Sequence, residues 1–202
     1  MDLWAGSAKA GAEFSSKDEW RMALTDSSRS YGTVSRVLHW TMAALLFWQF
    51  GGMILKMVLG RVPLMAFWVG THASVGALLL LVLMLRAGWA FTQKAQRPPY
   101  EAGLIGRAAM LGHYALYTLM FVIPFIALLR MAGSGKGVTL FGVQLQHPHG
   151  QEVEWMTAPG NALHGNLAWV LLALVAGHVL MVLLHRFLWR DDVLSRMAGT
   201  PA

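Results

Sequence analysis

Histidine is the residue type that this chain places where chemistry is expensive. Six of its eight histidines (His39, His72, His113, His164, His178 and His185) fall within long apolar stretches or at their ends. Ionisable side chains are rare in such segments and are usually functional there. His164 and His178 stand 14 residues apart in the last stretch. On a helix that spacing is a rise of about 21 Å and stops roughly 40° short of four full turns, so both imidazoles point to nearly the same face at two depths. Two inward-facing histidines stacked this way suit two haems, each completed by a histidine from another helix. Such ligation needs neutral imidazoles on opposite porphyrin faces, each usually oriented through its other ring nitrogen. The chain has no cysteine, which removes disulfides, iron–sulfur clusters, thioether-attached haem and thiolate zinc sites.

Depth pairs the histidines in part. His72 and His164 both lie near the outer side and form the outer pair. For His178 the partner is His39 or His113, both in the inner half, and depth does not choose between them. Gly76, Gly112, Gly165 and Gly177 lie near these positions, where a missing side chain would let a flat group approach a helix backbone.

The elements that must hold these residues are legible from composition. The 202 residues are 56% hydrophobic and 13% charged, outside the range of soluble domains and inside that of membrane proteins. Nine Trp and four Tyr fit side chains that favour the headgroup level. Four segments exceed or approach the roughly 20 residues a spanning helix requires: Val37 to Leu59, Leu64 to Trp89, Leu104 to Met131, and Ala162 to Trp189. With the N-terminus inside, 12 of the 16 Lys and Arg fall on the inner side, so both termini are expected to be cytoplasmic. The same asymmetry accounts for the net charge of +6 without nucleic acid. No secretory signal opens the chain, so the first span is expected to act as its own targeting element.

Residues 1–30 form an N-terminal extension on the cytoplasmic side. Ser16 and Glu19 have capping-box spacing, which fits either a short helix at the inner membrane surface or a tail without fixed structure. The outer connection from Ala132 to Asn161 is expected to be a loop of about 30 residues, long enough to be functional or disordered. It contains His147 and His149, a His-x-His pair with no further ligand nearby, and "GSGKG", which lacks the spacing of a phosphate loop. Lys136 and Arg130 flank the outer site and would draw an anionic reductant, against the opposing charges of Glu152 and Glu154. His185 follows His178 by seven residues and so stays on nearly the same face at the cytoplasmic interface. There an imidazole suits hydrogen bonding or proton exchange, and Ser35, Arg36 and Trp189 are candidates for the same edge.

Four stretches carry a family resemblance: "VSRVLHW", "THASVGALLLLVLMLR", "LGHYALYTLMFVIP" and "LHGNLAWVLLALVAGHVLMVLLHRFLWRDDVLSRM". Together they resemble the bacterial di-haem cytochrome b561 family over Tyr31 to Met197. The resemblance implies an all-α, transmembrane four-helix bundle over residues 31–197 that binds two b-type haems in the bacterial inner membrane. It implies His39 with His178 as ligands of the cytoplasmic-side haem, and His72 with His164 as ligands of the periplasmic-side haem. It assigns His113 to packing or hydrogen bonding near a haem edge or propionate, and makes His185 a hydrogen-bond or proton partner of ubiquinone beside the inner haem, with Ser35, Arg36 and Trp189 at the same edge. The activity it implies is electron transfer between a periplasmic-side donor, with superoxide the leading candidate, and ubiquinone. An alternative is a haem-bearing anchor that takes electrons from a larger dehydrogenase or hydrogenase-type complex. A transporter whose histidines carry protons or metal would instead hold no stoichiometric haem.

Overall fold

A computed structural model describes residues 23–60 and 62–199. The extension's expected helix around Ser16 and Glu19 lies outside the described residues. Helices α1 (Thr33–Leu59), α2 (Pro63–Thr92), α3 (Gly103–Gly133) and α4 (Glu154–Leu184) run up and down. Each is long and apolar enough to cross a membrane. A π-helical turn, His185–Trp189, extends α4, and a short helix α5 (Val193–Ala198) follows. The described segments before α1 and after α4 meet at one end of the bundle, here the terminal end, where the Tyr31 N–H donates to the Arg196 carbonyl at 3.2 Å, and the α3–α4 connection marks the other, the hairpin end.

The helices carry apolar residues all round, as a spanning helix must. Large side chains such as Phe47, Phe91 and Leu104 face outward, where lipid would solvate them. Helix α1 packs on α2 and α3 on α4, while α2 and α3 meet less extensively. Missing side chains allow the close pairs. A Cβ at Gly52 of α1 would fall inside the Trp68 indole of α2, and one at Gly160 of α4 would press on Arg130 and the Ile126 carbonyl of α3. The buried core lies at mid-height, where Met42, Leu79, Leu83, Leu116, Met120 and Leu171 cluster.

The outer connection differs from the expected open loop. Helix α4 starts at Glu154, eight residues before Ala162, and strands β1 (Val138–Leu140) and β2 (Val143–Gln146) form an antiparallel hairpin. Its turn, Phe141–Gly142, has positive φ at both residues (52° and 78°), the geometry whose twist matches a two-residue hairpin. The Phe141 N–H donates to Ser74 Oγ at 2.9 Å, which ties the hairpin tip to α2. Pro159, within the stretch expected to be loop, sits in the second turn of α4. There it removes one N–H, so only the carbonyl of exposed Trp155 loses its helical partner.

At the terminal end, residues before α1 are clasped to the α2–α3 connection. The fully buried Asp26 carboxylate accepts from Arg97 Nε and from the Gly32 N–H, both at 2.9 Å. The Asp26 N–H donates to Gln93 Oε1 at 3.2 Å.

Candidate functional site

The outer pair closes on a cavity. His72 of α2 and His164 of α4 bring their ring centroids to 6.1 Å at an interplanar angle of 80°. Both line a cavity of about 280 Å³ near the hairpin end, walled by all four helices and mostly apolar. The Ile123 carbonyl lies 3.2 Å from His164 Nδ1. A carbonyl only accepts, so Nδ1 donates and Nε2 keeps its lone pair for a ligand. Gln49, unnoticed in the sequence, donates from Nε2 to the His72 carbonyl at 2.9 Å. Its Oε1 is buried without a partner beside the same cavity. A Cβ at Gly165 would meet nothing within 4 Å, so the wall there is open to a flat group.

At the terminal end three histidines converge. His39 of α1 and His178 of α4 have ring centroids 6.4 Å apart, and His113 of α3 lies 5.3 Å from His178. His113 Nδ1 donates to the Ala109 carbonyl at 2.7 Å, which fixes its ring to its own helix. His39 Nδ1 is buried with no hydrogen-bond partner. Cβ atoms at Gly112 and Gly177 would again meet nothing within 4 Å. A metal–imidazole bond of about 2.0 Å, with roughly 1.1 Å more to each ring centre, puts two rings on opposite sides of one metal about 6.2 Å apart. Both the outer pair and the His39–His178 pair have that separation.

The prokaryotic cytochrome b561 family profile matches residues 30–200. The chain belongs to that family. Its b-type haem accords with the paired imidazoles, the open glycine walls and the unpartnered His39 nitrogen. Among relatives, the chain is 29% identical over 198 residues to "Cytochrome b561 homolog 2" of Escherichia coli (strain K12), covering 88% of this chain and 96% of that protein. It is 27% identical over 130 residues to "Probable superoxide oxidase CybB" of Yersinia pestis, covering 62% of this chain and 72% of that protein.

The four residues expected at a quinone edge have separate partners. His185 and Trp189 do meet, edge to face at 4.5 Å, and His185 Nδ1 pairs with Asp191 Oδ2 at 2.5 Å. The π turn makes this contact. Arg190 takes a left-handed conformation (φ 53°) and the Asp191 N–H returns to the His185 carbonyl at 3.1 Å, folding the carboxylate back onto the imidazole. Burial pushes the Asp191 carboxyl up, but hydrogen bonds from His185 and the Val193 N–H outweigh it and hold the group below its ordinary value. Ser35 departs from expectation. It is buried, and its hydroxyl accepts from Trp89 Nε1 at 3.0 Å and from Arg97 at 3.5 Å, which ties it to α2 and the α2–α3 connection. Arg36 donates to Thr33 Oγ1 at 3.1 Å and lies over Gly199, packed against the turn that ends α5.

His147 and His149 sit exposed after the hairpin. Among the described residues no group of three or more His, Asp or Glu converges on a metal-sized site, so the His-x-His pair gains no third ligand there. Arg130 lines the outer cavity and reaches Asn161 Oδ1 at 3.3 Å.

Proposed function

We propose that this membrane cytochrome holds two b-type haems, one between His72 and His164 and one between His39 and His178, and carries electrons across the bacterial inner membrane with both termini cytoplasmic. The observation that carries this reading is the recurrence of ligand-ready imidazole pairs, with centroids 6.1 and 6.4 Å apart, at two levels of one bundle. Bound haem supplies a one-electron iron couple tuned by its axial ligands and burial. The chain's part is to orient the imidazoles, exclude water with the mid-height apolar core, and hold protons at its edges. The 12 to 4 partition of Lys and Arg supports the orientation.

At the cytoplasmic edge, His185 exchanges the proton with a quinone. Its Nδ1 is occupied by Asp191, which leaves Nε2 for the quinone oxygen, and Trp189 flanks the ring. On the periplasmic side the donor is an anionic one-electron reductant. Superoxide fits the guanidinium of Arg130 at the outer cavity and agrees with the name of the Yersinia pestis relative. A second reading, electron uptake from a docked dehydrogenase or hydrogenase-type complex, is favoured by the ordered hairpin, whose Phe141, Val143 and Leu145 are exposed at that end.

The deciding experiment is the dithionite-reduced minus oxidised spectrum of the purified protein with haem counted per chain, followed by quinone reduction driven by a superoxide source. Two low-spin b-type haems and superoxide-dependent quinone reduction are expected. Haem without that activity would favour the docked donor, and absence of haem would overturn both readings.

A further inference from the structure

Arg86 is a half-buried cation with no carboxylate partner among the described residues. It stands in α2, 14 residues after His72, the same step that separates His164 from His178 in the parallel helix α4. That step preserves the helix face, so Arg86 meets the His178 level on the face with which His72 meets His164. Its side chain turns into the bundle instead of reaching for water. The guanidinium carbon lies 5.5 Å from the Tyr117 ring centroid on α3, and NH1 approaches Met42 Sδ on α1 at 3.9 Å. Those contacts are one turn from His113 and from His39, respectively. The guanidinium therefore stands at the level of the three inner histidines.

Nothing on the described chain neutralises this charge. Arg86 Nε is buried with no hydrogen-bond partner. The side-chain ion pairs among the described residues are Arg97–Asp26 and His185–Asp191. Asp26 is the carboxylate nearest in effect, but Arg97 and the Gly32 N–H already occupy its two oxygens. A guanidinium cannot shed its proton to relieve the strain of burial, and buried charges persist where they are paired. A planar fork with a free Nε is suited to a carboxylate.

We infer that Arg86 binds a carboxylate carried by the ligand of the inner histidine pair, namely a propionate of the haem held by His39 and His178. This rests on the proposed ligation of that haem. The cation also sets the haem's electronics, because a fixed positive charge beside the ring favours the reduced, less positive iron. The same carboxylate-binding chemistry would accept an anionic lipid headgroup, and the test separates the two.

Purified Arg86→Gln and Arg86→Lys proteins are compared with the parent by haem count, spectroelectrochemical titration, and the resonance Raman bending band of the haem propionates. In Arg86→Gln, one of the two haem signals shifts to lower potential or is lost from an otherwise monodisperse protein, the other haem stays put, and the propionate band moves. Arg86→Lys keeps the charge but not Nε, so its potential lies nearer the parent's while the propionate band still moves. Parent-like potentials and propionate bands in both variants would overturn the inference. So would loss of bound phospholipid phosphorus from Arg86→Gln with the propionate band unchanged, which would assign the site to lipid. A parent protein without haem would instead refute the underlying ligation, and that is read before any variant is made.

Discussion

Three imidazoles meet at the terminal end, and replacing two of them in turn identifies the ligand. Ligation of one metal from opposite sides requires centroids about 6.2 Å apart, and bond lengths in real sites hold to about 0.2 Å. The His39–His178 separation of 6.4 Å exceeds the requirement by about 0.2 Å, or about 0.1 Å per bond, which fits that tolerance. The His113–His178 separation of 5.3 Å falls short by about 0.9 Å, more than twice the tolerance on each bond. His113 is also held by its 2.7 Å bond to the Ala109 carbonyl, so moving to the ligand position would break that bond. His39→Leu is therefore expected to drop the haem count from two to one, and His113→Leu to leave it at two. Leucine fills much of the imidazole's space, so neither change opens a large cavity. The assay is pyridine haemochrome content per chain, with gel filtration to verify the fold. If His113→Leu loses a haem while His39→Leu keeps both, the geometric argument is wrong.

Other consequences of the structure are open to measurement. Asp26→Ala strands Arg97 and the Gly32 N–H, and should destabilise the protein by about 3 kcal/mol, the low end for breaking a buried pair because Arg97 keeps some access to water; an unchanged thermal midpoint in detergent would contradict the clasp. Gly160→Leu forces a side chain into Arg130 and the Ile126 backbone, and should cost about 1–3 kcal/mol by overpacking, read as a lower unfolding temperature with haem ligands untouched. The Asp191 carboxyl is held below its ordinary value, so the folded protein favours its charged form. That stabilisation is complete above the ordinary carboxylate pKa of about 4 and disappears as pH falls through the lower folded value. Asp191→Asn should flatten this acid dependence of the thermal midpoint, and an unchanged acid limb would show that the pair with His185 contributes nothing.

The four spans and the outer histidine pair were legible because apolar length and the 14-residue step are local properties of the chain. The family resemblance supplied the choice between His39 and His113, which depth left open. Three features were hidden for separable physical reasons. Helix α4 begins early although Pro159 lies in its second turn, where the lost hydrogen bond falls on the carbonyl of exposed Trp155. Ser35 looked available because a hydroxyl beside Arg36 suggests an interface, whereas Trp89 and Arg97 reach it across 54 and 62 residues of chain. Arg86 was counted among inner-side cations, and only packing reveals that it turns inward. Asp191 had a readable signal, a carboxylate six residues after His185, but a regular helix would not bring the two together. The π turn and the left-handed Arg190 do.

One spacing runs through all four helices and explains how the bundle keeps its two histidine levels apart. Seven residues after His39, His72, His113 and His164 stand Leu46, Leu79, Met120 and Leu171. All four belong to the mid-height core or pack against it, and all four border the outer cavity. A further seven residues reach Met53, Arg86, Ala127 and His178. Met53 and Ala127 line the outer cavity, because α1 and α3 run from the terminal end, while Arg86 and His178 meet the inner level, because α2 and α4 run toward it. Each seven-residue step turns a straight helix only about 20° short of two full turns and rises about 10.5 Å, so one face of every helix reads polar or ligating, apolar, then ligand-lining again. The apolar rung excludes water between the levels. Without it, water and mobile protons would reach the middle of the bundle and the two imidazole pairs would share one wet cavity. With it, each pair has its own surroundings, and a charge such as Arg86 acts on one level far more than on the other.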